Sequence, residues 1–289
     1  MKSINLLIGI IALIALGFKT DKPAYLIFDS EGKKSSYTKM MKELVKADVI
    51  FIGELHNDPI AHWLEYEITS DLYQLRGDSL ILGAEMFERD NQLMIDEYLN
   101  DYYTADKFEA EVKLWGNYKT DYKPLVEFAR TNNLKFIATN IPRRYASMVS
   151  RHGFEILDSL TDMAKSYFAP LPFEYDPELP GYKNMLSMAS GMPAHMSENL
   201  PKAQAAKDAT MGYSIAGNMS EGDLFIHYNG SYHSSNFEGI LWYLNRYRPG
   251  LNVVTIEIVN QPDISEVEEE NLGKATFIIC VPGSMTKTY

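Results

Sequence analysis

Cysteine is nearly missing from this 289-residue chain: Cys280 stands alone. One thiol can close neither an internal disulfide nor a cysteine-based zinc cage. Basic residues are also in the minority, Lys+Arg 27 against Asp+Glu 39, for a net charge of −12. Proteins that track nucleic-acid phosphates need a basic face, so nucleic acid is not expected as a partner. Gly 18 and Pro 13 are too few for a collagen-like or linker-rich chain. There is no His-Glu-x-x-His zinc signature. Apart from the N-terminus, no apolar run approaches membrane-spanning length. Apolar residues at 46% and charged residues at 23% are ordinary for a globular protein and exclude a disordered one.

The N-terminus reads as a targeting segment. Lys2 precedes a compact apolar run, Leu6 to Leu16, closed by Gly17 and Phe18. The run is shorter than the ~20 residues of a spanning helix. A signal peptide over residues 1–20, cut near Gly17 or Thr20, is expected, with an uncleaved anchor as the alternative. No cysteine follows the run, so lipidation there is excluded. The chain is therefore expected to be exported, to a periplasm or cell envelope, with a single domain over residues 25–289.

Within that domain, short β-branched runs alternate with amphipathic stretches. Strands are expected at Val49–Ile52, Ser79–Gly83, Leu134–Asn140, Asp223–His227, Val253–Val259 and Ala275–Val281. Their continuous apolarity suits parallel strands buried on both faces. After Asp58-Pro59, a cap and a first helical residue, Ile60, Trp63, Leu64, Ile68, Leu72 and Leu75 recur at helical spacing. Further helices are expected at Asn91–Leu99, Pro124–Thr131 and Lys202–Ala216. The fold class is α/β: a parallel β-sheet with helices on both faces. From Asp158 to Pro201 the alternation stops. Prolines, aromatics and Met crowd this stretch, which is read as a helical cap because so much apolar side chain is seldom left in water. The acidic run Glu266–Glu270 is read as a solvated loop.

In open parallel sheets, ligands bind beyond the carboxyl ends of the strands. Those ends deliver Glu54, His56, Glu85, Asn140, Arg143, Arg144 and His233. Two His and two Glu could hold a divalent metal that activates water, or could work unmetallated as acid and base. His62 is assigned to its helix and His227 to the core. Arg143 and Arg144 follow Pro142 at a helix start, where the macrodipole disfavours cations. Either Glu54 or Glu85, or an anionic ligand, is expected to pair with them.

Several stretches together resemble the ChaN-like haem-binding family, grouped with the TIKI/TraB proteins and erythromycin esterases. They are Gly53-Glu54-Leu55-His56-Asn57-Asp58, Ala84 to Gln92, Trp115 with Tyr118, Asn140-Ile141-Pro142-Arg143, Ala203 to Met211, and Asn229-Gly230-Ser231-Tyr232-His233. The resemblance spans roughly Asp48 to Tyr243. It implies an exported bacterial protein of haem or iron uptake, served by an outer-membrane uptake system. It also implies haem held between cap and sheet edge by a Tyr ligand, in some members across a homodimer. Haem needs an apolar slot, axial ligands and cations for its propionates. The cap offers Tyr167, Tyr175, Tyr182 and His195 as ligands; Arg143, Arg144, Arg151 or Lys183 could meet propionates. The wider group implies the alternative, a metal-dependent hydrolase with Glu54, His56, Glu85 and His233 as its catalytic or metal set.

Overall fold

The computed structural model describes residues 21–188 and 194–289. The expected signal peptide, residues 1–20, lies outside the described residues, as does the side chain of His195. The strands are Leu26–Asp29 (β1), Val49–Glu54 (β2), Leu80–Glu88 (β3), Lys135–Asn140 (β4), Leu224–Gly230 (β5), Val253–Gln261 (β6) and Phe277–Pro282 (β7). They form one sheet in the order β1-β7-β6-β2-β5-β3-β4. Only β1 runs antiparallel, against β7; the other neighbours are parallel. The expected α/β class holds.

The helices are Tyr37–Leu44 (α1), Pro59–Arg76 (α2), Gln92–Leu99 (α3), Ala105–Glu111 (α4), Lys123–Thr131 (α5), Arg143–His152 (α6), Asp162–Lys165 (α7), Pro180–Met188 (α8), Ala194–Asn218 (α9) and Ile240–Tyr247 (α10). Every residue of β2 and β5 is buried because the sheet is covered twice. On one face Ile50, Ile52, Leu82 and Ile226 pack with Leu64, Ile68 and Leu72 of α2 and Leu125 and Val126 of α5. On the other, Val49, Phe51, Ile81 and Phe225 meet Met211 and Ile215 of α9 and Ile240 and Leu244 of α10. A side chain fully buried in this way contributes about 1.5–3 kcal/mol.

Three details depart from the sequence reading. First, β1 has only four residues, too short a run to show a period, and its antiparallel edge position comes from pairing with β7. Second, β3 runs on past Gly83 to Glu88. Gly83 does not end the strand; a Cβ there would stand 2.6 Å from the Phe225 ring, so the glycine makes room for a neighbouring side chain. Third, the cap does not close at Pro201. α9 begins at Ala194 and carries Pro201 inside it. A proline in a helix interior costs about 3 kcal/mol, offset here by burial of Ala203, Ala205, Ala206 and Ala209 against α6 and α10. Among the described residues, the cap also holds the end of a 3-10 stretch, Phe154–Ser159, then α7, an irregular run and α8.

Asp58 caps α2 as expected, accepting from the Ile60 and Ala61 amides, with Pro59 in the first turn. Its buried stripe differs from the expected one. Trp63 and Leu75 are exposed, and the inner face carries His62, Glu65 and Thr69 beside Ala61, Leu64, Ile68 and Leu72. Cys280 is a buried strand residue and Glu266, Glu268, Glu269 and Glu270 are exposed, as read.

Candidate functional site

The chain crosses over after β4 and returns through α9 to place β5 between β2 and β3. The carboxyl ends of β2, β5, β3 and β4 thus lie side by side, at a switch of direction. A cavity of about 610 Å³ opens there, lined by Glu54, His56, Glu85, Asn140, Arg143 and His233 together with Trp115, Met185, Gln204, Lys207 and Tyr232. The six residues named first were expected at this edge from the sequence.

On the β2 side, His56 Nδ1 donates to Glu54 Oε1 at 2.6 Å, and the Tyr122 hydroxyl donates to the same oxygen at 2.6 Å. The His56 ring stands edge-on to Trp115, 5.0 Å between centroids, and rests on Gly230. A Cβ at Gly230 would lie 2.8 Å from the ring, so only glycine fits. Burial pushes the Glu54 carboxyl up, but the His56 hydrogen bond and the nearby His62 charge bring it below the usual carboxylate range. Burial disfavours charge on His56 too; the hydrogen bond it donates to Glu54 and the nearby Glu54 charge outweigh this and raise the imidazole.

On the β3 side, His233 is held between two carboxylates. Nε2 lies 3.0 Å from Glu85 Oε1 and Nδ1 2.5 Å from Asp208 Oδ1. Glu85 Oε2 accepts the Gly230 amide, and Tyr182 donates to Asp208 Oδ2. Gln204 and Asp208, four apart on α9, flank the His233 ring, and Lys207 lines the cavity beside them. Burial works against the imidazolium, yet Glu85 and Asp208 raise it to about 9. Burial likewise raises Glu85, and the His233 charge overrides that to hold it far below its ordinary value. Both His233 nitrogens are thus taken up by carboxylates, and the ring serves as the cation between Glu85 and Asp208.

The two halves share a cavity without sharing a point. Among the described residues, the three His, Cys, Asp or Glu side chains whose ligand atoms fall within 4.8 Å of one another are Glu54, His62 and Glu65, not a trio from Glu54, His56, Glu85 and His233. His62 is thus more than a helix residue. Its Nδ1 lies 3.1 Å from Glu65 Oε2 and 3.5 Å from Glu54 Oε2; its Nε2 donates to the His56 carbonyl at 3.1 Å. Burial pushes Glu65 well above the carboxylate range, with the Glu54 charge adding to it. His62, despite burial, is raised to about 10 by Glu65, Glu54 and Asp121. His227 is the core residue expected: Thr139 and Asn229 bond its two nitrogens, and burial lowers it to about 4.

The arginines have different partners from those anticipated. Arg143 approaches Glu88 at 3.8 Å and stays exposed at the cavity mouth. Arg144 pairs with Asp90 and lies over the Tyr145 ring. Neither meets Glu54 or Glu85, because β3 continues to Glu88 and brings acids nearer to α6. The cap tyrosines lie off the cavity: Tyr182 is buried with its hydroxyl on Asp208, and Tyr175 packs on Phe154 and Tyr182. Sequence reasoning missed Tyr122, Asp208 and Glu65 as site residues. The signal for Glu65 was present, as His62 and Glu65 three apart on an otherwise apolar stripe. Asp208 stood inside a quoted motif, but nothing local assigned it to His233.

Comparisons with known proteins agree with this architecture. The sequence pattern of the family described as haem-binding uptake, Tiki superfamily, ChaN, matches residues 40–244. The fold is similar to ChaN of Campylobacter jejuni, solved with cofacially bound haem: TM-score 0.68, 18% identity, 88% of this chain and 96% of that one. It is also similar to an erythromycin esterase mutant in its open conformation, TM-score 0.54, 13% identity, covering 92% and 99%. Among curated proteins, Protein RETICULATA-RELATED 5, chloroplastic, of Arabidopsis thaliana is 24% identical over 138 residues, 46% of this chain. The chain spans 18% of that relative's length.

Proposed function

The chain belongs to the haem-binding uptake family of the Tiki superfamily, ChaN, and from this we propose that it binds haem in the strand-end cavity, as an exported protein of iron acquisition. The observation that carries the reading is the cavity itself, with Leu55, Trp115, Ile141 and Met185 as apolar walls and Arg143 and Lys207 as cations. An apolar slot of 300–1,000 Å³ with a few placed polar groups is what a cofactor-sized ligand requires. The residues fit the group: Arg143 and Lys207 would meet the propionates, and His56 would hold the iron. With Nδ1 committed to Glu54, the free donor of His56 is Nε2, and a carboxylate behind a ligating imidazole is the usual supporting arrangement. Bound haem would supply its iron as cargo; the chain's own part is to bind, orient and exclude water.

The test is a haem titration followed by absorption spectra of His56→Ala and Tyr232→Phe, the latter because Tyr232 also lines the cavity. Saturable binding with a spectrum changed by His56→Ala is expected. A spectrum changed only by Tyr232→Phe, Tyr175→Phe or Tyr182→Phe would move the ligand. No saturable binding at micromolar haem would remove the function. Export is tested by N-terminal sequencing of the native protein, and a homodimer by sizing with and without haem.

A second reading, hydrolysis, rests on the same Glu54–His56 pair. A half-exposed imidazole oriented by a buried carboxylate can act as general base. Turnover of ester substrates lost in His56→Ala would favour it.

A further inference from the structure

Behind the cavity, between β2 and α2, lies a second cluster, in which Glu54 meets two residues that the haem reading does not use, His62 and Glu65. We propose that Glu54, His62 and Glu65 form a buried site for one first-row divalent cation, of the Zn²⁺ or Mn²⁺ class. Their ligand atoms lie within 4.8 Å of one another and all three residues are buried. Glu54 Oε2 and Glu65 Oε1 have no hydrogen-bond partner, although their residues are 1% and 0% exposed. Among the described residues, the one counter-charge that faces both is His62, whose Nδ1 lies 3.5 Å from Glu54 Oε2 and 3.1 Å from Glu65 Oε2, and alone it leaves one of the two carboxylate charges uncompensated. They can satisfy each other only by trapping a proton; a cation would satisfy both.

The surroundings resemble the outer shell of a metal site. His62 Nε2 donates to the His56 carbonyl, an atom that can only accept. This fixes the ring so that Nδ1, turned towards both carboxylates, is the nitrogen that can lose its proton to a metal. Asp121 Oδ2 lies 3.4 Å from Nε2 and is held by Asn117 and Thr288. The remaining oxygen of Glu54 is fixed by Tyr122 and His56. Two carboxylates and one imidazole are an oxygen-rich, borderline donor set that suits Mn²⁺ or Zn²⁺ rather than a thiolate-seeking ion. Glu54 would then face the metal with one oxygen and His56 with the other, tying metal occupancy to the cavity. The inference does not depend on haem.

The test uses the full chain, stripped with chelator and titrated with Zn²⁺ and Mn²⁺ separately. Calorimetry and elemental analysis should give one ion per chain with a rise in thermal midpoint. Glu65→Gln keeps shape and hydrogen bonding but removes a ligand, and should weaken binding at least ~100-fold, the upper range for losing even an outer-shell partner. Binding lost in His233→Gln but retained in Glu65→Gln would put the ion in the cavity and overturn the proposal. So would no binding by the stripped wild type; a more stable Glu65→Gln would then mean that the pair shares a proton. If Glu65→Gln does not fold, Co²⁺ loaded into the wild type decides. Intense visible bands of a low-symmetry N/O site support the proposal, and a spectrum like the aqueous ion overturns it.

Discussion

Replacing His233 by Gln removes the one cation between Glu85 and Asp208, and the structure says how stability should then depend on pH. The folded imidazole titrates at about 9 instead of 6.5. At about 1.4 kcal/mol per unit, that is roughly 3 kcal/mol favouring the folded state. The contribution is fully present below about pH 6.5 and is lost as pH rises through about 9. Near neutrality the variant also takes the nearest counter-ion from two buried carboxylates, a defect costing up to about 3–5 kcal/mol, softened at Glu85 by Lys207 and His56. Urea unfolding of both proteins at intervals from pH 7 to 10 gives the difference in stability directly. Groups that titrate alike in the two proteins, His62 among them, cancel. The wild-type advantage should shrink by about 2–3 kcal/mol across the interval. An advantage that stays flat from pH 7 to 10 would refute the carboxylate–imidazolium–carboxylate assignment.

Gly230→Ala should displace the His56 ring and cost about 1–3 kcal/mol, as overpacking does; the imidazole resonances of His56 in NMR should move while those of His227 stay. Tyr122→Phe removes a hydrogen bond to an ionised carboxylate and should destabilise by about 1.5–3 kcal/mol in chemical denaturation, whereas an unchanged midpoint would mean Glu54 needs no second donor. Glu257, buried and raised by that burial to about 7, contributes stability below pH 4.5 that is lost as pH rises through 7. Glu257→Gln should therefore be more stable than wild type at pH 8, by about 3 kcal/mol at most, and no more stable at pH 4.

The sequence by itself determined the layers of this protein. Strands such as Val49–Glu54 and Leu224–Gly230 are apolar along their length, so both faces had to be covered, and the turns between them carry few other choices. It also determined which end of the sheet is chemical, because Glu54, His56 and His233 sit at or just past a strand's carboxyl end and Glu85 lies towards the end of β3. Tertiary structure decided the pairing. Whether His233 faces His56 or Asp208 depends on how far α9 slides along the sheet, which no local period encodes. Burial decided the rest. Glu65 is fully buried, and its carboxyl is pushed well above the usual carboxylate range, only because α2 turns that face onto Glu54. Charge state follows from removal of water and from the particular opposite charge left nearby, and both are properties of the packed chain rather than of its order of residues.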